Sequence, residues 1–135
     1  MGKQPLKKMI LVDDDEDVLT IAKYCLESLK GVDIKYLTSG EETLKEALSF
    51  QPDLILLDIM MPKMDGITTL KTMKLVPNLT NIPVVFFTAK VQKEELAQYQ
   101  QLGAIETIIK PFDPLTLADN ILKIWDRYQE RKASQ

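Results

Sequence analysis

The 135-residue chain contains no histidine. That absence removes His-dependent hydrolase triads, histidine metal ligands and any chemistry that phosphorylates its own histidine, leaving carboxylate, hydroxyl and lysine chemistry. Cysteine is nearly as scarce: Cys25 stands alone, which excludes an internal disulfide and a cysteine zinc site. It falls at helical spacing in an apolar pattern and reads as a small core residue, not as a reactive thiol. No apolar run in the sequence approaches the roughly 20 residues of a membrane span, and Met1 to Lys8 lacks the apolar centre of a secretion signal. Gly2 opens no myristoylation motif, because Leu6 stands where Ser or Thr is required. A cytoplasmic protein is expected. Positive charge is not in excess either: 17 Lys and Arg face 20 Asp and Glu, so the net charge of -3 gives no footprint for direct nucleic-acid binding.

With 45% hydrophobic residues, the length suits one domain with a real core. Short apolar, β-like runs at about 9–12, 32–37, 53–58, 83–87 and 105–109 alternate with segments of helical periodicity, so the pattern is βα repeated five times. The first helical stripe is Val18, Ile21, Ala22, Cys25, Leu26 and Leu29, with Asp15, Glu16 or Asp17 able to cap it. Leu44, Ala47 and Leu48 form the next stripe, after the turn and cap residues Thr38-Ser39-Gly40. Leu70 and Met73 follow Asp65-Gly66 in a third helix that stops before Pro77. A fourth, at about 91–102, is rich in Gln and weakly amphipathic, and is expected to pack least firmly. The last carries Leu117, Ile121, Ile124, Trp125 and Tyr128, then gives way to a polar tail, 129–135, expected to fray. Strands apolar on both faces and alternating with helices imply a parallel sheet covered on both sides by right-handed crossovers.

Polar residues close four of the apolar runs. Asp13-Asp14-Asp15 follow Met9-Ile10-Leu11-Val12; Asp58 closes Leu54 to Leu57; Thr88 closes Val84 to Phe87; Lys110 closes Ile105 to Ile109. In an open parallel sheet, ligands bind beyond the carboxyl ends of the strands, so these groups converge on one cleft. Each alone has an ordinary explanation: the acidic run and Thr88 as helix caps, Lys110 as a solvated loop residue. All four at successive strand ends favour a site.

Two carboxylates about 5 Å apart repel by roughly 3 kcal/mol at an effective dielectric near 20. A hard divalent cation resolves the conflict, and Mg²⁺ suits carboxylate, carbonyl and phosphate oxygens. Asp58, deepest in its apolar strand, is the candidate nucleophile toward phosphorus, with Lys110 as the cation and Thr88 as a hydroxyl donor to the phosphoryl group.

The stretches Leu11-Val12-Asp13-Asp14-Asp15, Pro52-Asp53 through Asp65-Gly66, Phe87-Thr88-Ala89-Lys90 and Ile109-Lys110-Pro111-Phe112 together resemble the response regulator receiver domain of two-component signalling. The resemblance implies a single-domain, doubly wound, flavodoxin-like (βα)5 sheet in the order 2-1-3-4-5 over residues 8–128, after an N-terminal extension, 1–7. It also implies that Asp58 accepts phosphate and that Asp14 and Asp58 bind Mg²⁺ directly. Asp13 would act through water, and the Met60 carbonyl would complete the protein ligands. Thr88 and Lys110 would contact the phosphoryl group, and Lys110-Pro111 would be cis. The donor would be a phosphohistidine on a sensor kinase or a histidine phosphotransfer protein, the output an unidentified protein target, and the chain a monomer or weak homodimer. Such a domain is no enzyme in the ordinary sense, although it assists its own phosphotransfer and dephosphorylation.

One position departs from that pattern. Thr107 holds the place, three before Lys110, where an aromatic ring is usual, so activation is expected to move the loop after Thr88 and the Gln-rich helix instead. Met60 and Lys90, two residues beyond Asp58 and Thr88, are the side chains placed to obstruct or position an attacking water, and apolar Met60 suggests slow loss of phosphate. Two rival readings remain. An aspartyl-phosphate hydrolase of the haloacid dehalogenase type expects a second Asp where Met60 stands; a receiver-like module that takes no phosphate would not need the full set of Asp13, Asp14, Asp58, Thr88 and Lys110.

Overall fold

A computed structural model describes residues 4–89 and 92–134. Met1 to Lys3 of the expected extension, Lys90, Val91 and Gln135 lie outside the described residues. Ten elements alternate: β1 (Lys8–Val12), α1 (Glu16–Cys25), β2 (Asp33–Leu37), α2 (Gly40–Phe50), β3 (Leu54–Asp58), α3 (Gly66–Leu75), β4 (Val84–Thr88), α4 (Lys93–Leu102), β5 (Glu106–Ile109) and α5 (Leu117–Ala133). The five strands are all parallel, in the order β2-β1-β3-β4-β5. This is the flavodoxin-like order, and no helix among the described residues is long and apolar enough to cross a membrane.

Strand periodicity divides the core in two. Met9, Leu11, Leu54, Leu56, Val85 and Phe87 face α1 and α5, where Leu19, Ala22, Leu26, Leu117, Ile121, Ile124 and Trp125 cover them. Ile10, Val12, Ile55, Leu57, Val84 and Phe86 face α2, α3 and α4, meeting Ala47, Leu70, Met73 and Tyr99. Central β3 and β4 are buried along their whole length, whereas edge strands β2 and β5 are mostly half-buried. Side-chain caps start three helices: Asp15 accepts from Asp17 N, Ser39 from Glu42 N and Asp65 from Thr68 N.

Helices α1 and α2 depart from the periodicity reading. Ile21 and Leu48, expected on inward stripes, are 49% and 48% exposed, while Leu19 and Thr43 are buried in their neighbourhoods. Helix α1 turns the row Leu19, Ala22, Leu26 toward the sheet, which leaves Ile21 on its flank. The polar segment after Tyr128 also differs from expectation. Helix α5 continues to Ala133, and Gln129 is buried because its Oε1 accepts from Gln4 N at 3.0 Å. Trp125 Nε1 donates to Gln4 O at 2.8 Å, so the N-terminal segment straps the end of α5.

Candidate functional site

Strand register forms a staircase at the carboxyl edge of the sheet. Val12 lies opposite Leu57, Asp58 opposite Phe87, and Thr88 opposite Ile109. The residues one step beyond or at these ends are Asp13, Asp58, Thr88 and Lys110, so four polar side chains line up across four adjacent strands. Asp13, Asp58 and Thr88 are 1%, 3% and 4% exposed; Asp14 is exposed and Lys110 half-buried.

Carboxylate oxygens of Asp13, Asp14 and Asp58 all lie within 4.8 Å of one another. Lys110 Nζ reaches between two of them, at 2.8 Å from Asp13 Oδ2 and 3.3 Å from Asp58 Oδ1. Its backbone N–H donates to Thr88 O, which ties the lysine's loop to the end of β4, and the Lys110–Pro111 peptide is cis. Nζ also sits 5.2 Å above the centre of the Phe87 ring, which packs on Phe112. On the other flank, Asp13 Oδ1 accepts from Asp15 N at 2.9 Å, fixing the first carboxylate in place.

The electrostatics follow from burial. Desolvation first, and then the charge of Asp13, push the Asp58 carboxyl up to about 7, against the opposing pull of Lys110. Burial by itself would lower the Lys110 ammonium, but its hydrogen bond to Asp13 and the charges of Asp58 and Asp13 outweigh that and raise it. One lysine therefore serves two buried carboxylates with a third nearby. This oxygen-only donor set with surplus negative charge fits a hard divalent cation.

Met60 follows Asp58 in the connecting loop with its side chain 76% exposed. Lys90, the other side chain expected near the mouth, lies outside the described residues. Gly66 has a role the sequence reading missed. A Cβ there would overlap the Asp58 carbonyl oxygen and crowd Ile59 Cα, so the N-terminus of α3 rests directly on the backbone of Asp58. Gly66 N donates to Ile59 O at 2.9 Å across the same approach. Asp65-Gly66 signalled a turn; the close backbone contact had no local signal. Ile21 was also missed as a site-side residue: with Val18, Ala89, Pro111, Phe112 and Pro114 it lines an apolar groove of about 480 Å³ beside Lys110.

The sequence profile of the response regulator receiver domain matches residues 9–122, and the chain belongs to that family. It is 39% identical over 108 residues to the alkaline phosphatase synthesis transcriptional regulatory protein PhoP of Bacillus subtilis, covering 80% of this chain and 44% of that protein. It is 36% identical over 122 residues to the transcriptional regulatory protein CpxR homolog of Haemophilus influenzae, covering 90% and 52%. The chain thus spans about half the length of these curated relatives. Among solved structures, a putative response regulator from Chloroflexus aurantiacus superposes with a TM-score of 0.79 at 27% identity, over 92% of this chain and all of that one. The chemotaxis protein CheY4 of Vibrio cholerae shares the fold with the same TM-score of 0.79, over 89% of this chain and 99% of that one, at 24% identity.

Proposed function

We propose that this domain accepts a phosphoryl group on Asp58 from a phosphohistidine of a partner protein, in a Mg²⁺-dependent reaction, and that the acyl phosphate switches the binding of a downstream protein. The observation that carries this reading is the position of Lys110 Nζ, within 3.3 Å of both buried carboxylates Asp13 and Asp58. Asp58 is the only one of the three acids that ends an all-apolar central strand, so its carboxylate oxygen is the nucleophile. That oxygen forms the new bond to phosphorus while the phosphorus–nitrogen bond breaks, and the electron pair leaves with the imidazole. Lys110 offsets charge on the transferring group, and the Thr88 hydroxyl donates to one of its oxygens. Asp13, Asp14, Asp58 and the Met60 carbonyl would hold Mg²⁺, which when bound neutralises phosphoryl oxygens and the crowded acids. The apolar groove of Val18, Ile21, Phe112 and Pro114 gives the donor protein a surface beside the nucleophile.

We take 8–128 as the receiver unit, with 1–7 and 129–135 as flanking segments, of which Gln4 and Gln129 pack on it and on each other. The test is incubation with acetyl phosphate and Mg²⁺, read by intact mass. A stable gain of one phosphoryl, lost in Asp58→Ala and with chelator, supports the switch. Continuous release of phosphate over many turnovers would favour a hydrolase, and no adduct at all would favour a module that works without phosphate.

A further inference from the structure

Sulfur is concentrated at the mouth of the phosphoacceptor cleft. The loop from β3 to α3 holds Met60, Met61 and Met64, three of the six methionines in the chain. Its backbone folds tightly on itself: Met61 N donates to Ile59 O at 3.1 Å, Met64 N to Pro62 O at 2.7 Å and Gly66 N to Ile59 O at 2.9 Å. The side chains then sort by direction. Asp58 turns into the acidic cleft, while Ile59 and Met61 enter the core beside α2 and α3. Met60, between them, points outward and is 76% exposed. Two residues of chain span at most about 7 Å, so Met60 stays at the side of the nucleophile.

The other sulfurs are shielded or distant. Met9, Met61 and Met73 are buried. Met64 is half-buried, its thioether lying over Gly40 at the first turn of α2. Cys25, also half-buried, ends α1 on the side away from the cleft, about 14 Å of helix from Glu16. An exposed thioether is open to small oxidants, whereas buried ones react only as the fold opens around them.

We propose that Met60 is a site of reversible oxidation whose sulfoxide shortens the life of the acyl phosphate on Asp58. A peroxide is the oxidant. The thioether lone pair forms the S–O bond as the O–O bond breaks, and the departing hydroxide takes the remaining peroxide proton and leaves as water; sulfur loses two electrons and the peroxide gains them. As a thioether, Met60 offers water only a weak acceptor. As a sulfoxide it sets a strongly polar oxygen at the same place, able to hold a water for attack on phosphorus. One such hydrogen bond, made in the transition state, corresponds to about fivefold faster hydrolysis. The inference rests on the phosphoacceptor reading above.

The test treats the chain with dilute hydrogen peroxide, maps the oxygen by peptide mass, then adds acetyl phosphate with Mg²⁺ and follows the decay of the phosphorylated mass. Met60 should gain one oxygen ahead of Met64, with Met9, Met61 and Met73 unchanged, and the decay should quicken by the factor above as Met60 is consumed. Methionine sulfoxide reductases for both epimers, with a thiol as reductant, should remove the oxygen and restore the slower decay. Met60→Leu keeps every other sulfur and serves as its own reference: its decay should be the same before and after peroxide. Oxygen entering Met64 or a buried methionine first, an oxidised Met60 with unchanged decay, or an equal quickening in Met60→Leu would each overturn the inference and leave the phosphoacceptor reading standing. No phosphorylated mass in the untreated chain would overturn that reading, and this inference with it.

Discussion

Replacing the proposed phosphoacceptor, Asp58→Asn, should make the metal-free protein more stable. The reason lies in the crowding of the site: Asp58 is 3% exposed, carries its carboxyl pKa up to about 7 from 3.8, and has a carboxylate oxygen within 4.8 Å of those of Asp13 and Asp14. A rise of that size corresponds to a ceiling of about 4 kcal/mol. Lys110 already offsets part of it, and solvent reaches the mouth through exposed Asp14, so the expected gain is about 1–2 kcal/mol. The folded pKa is raised above the unfolded one, so the native state binds more protons than the unfolded chain between about pH 4 and 7, and stability from this group falls as pH rises through that window. The gain in Asp58→Asn should therefore be full at about pH 7.5 and reduced to a small fraction of that at about pH 4, where the folded carboxyl of the parent is protonated and the unfolded one about half so. Urea unfolding of both proteins in chelator at the two pH values measures it. Added Mg²⁺ should stabilise the parent more than the variant. A variant no more stable than the parent at the higher pH, or a gain of the same size at both, would refute the electrostatic account.

Three further outcomes follow from other contacts. Gly66→Ala places a methyl group against the Asp58 carbonyl and should cost about 2–3 kcal/mol in urea unfolding, because backbone must move to admit it. Met60→Asn puts an amide able to orient water at the mouth; one added hydrogen bond of about 1 kcal/mol corresponds to roughly fivefold faster loss of phosphate, measured by the decay of the phosphorylated mass. Ser39→Ala removes the acceptor for Glu42 N at 3.1 Å and should lower stability by about 1 kcal/mol.

Much of this architecture was legible because strands buried on both faces are written as uninterrupted apolar runs, and the residue that ends each run is by construction at the carboxyl edge. Asp58 after Leu54-Ile55-Leu56-Leu57 is such a case, and register alone then brings Lys110 across to it. Helix orientation was less legible. Apolar residues at 18, 19, 21, 22, 25 and 26 spread over roughly 160° of the helical circumference with Leu19 at one edge and Ile21 at the other, so periodicity did not choose between them; packing on the sheet, which buries Leu19 and exposes Ile21, did. Contacts between distant parts of the chain left no local trace. Gln129 belongs by composition to a polar tail, yet its partner Gln4 stands 125 residues away. The approach of Gly66 to Asp58 is likewise a fact of two backbones meeting. Thr107 was visible as a departure, but its register with Phe86 needed the fold.

The central claim is that Asp58 carries an acyl phosphate, and chemical trapping reads it most directly. After phosphorylation, borohydride reduction converts an aspartyl phosphate to homoserine, which peptide mass sequencing locates. The account predicts homoserine at position 58, formed only when phosphodonor and Mg²⁺ were both present. Homoserine at 13 or 14, or none at all in protein that has gained a phosphoryl group, would contradict it.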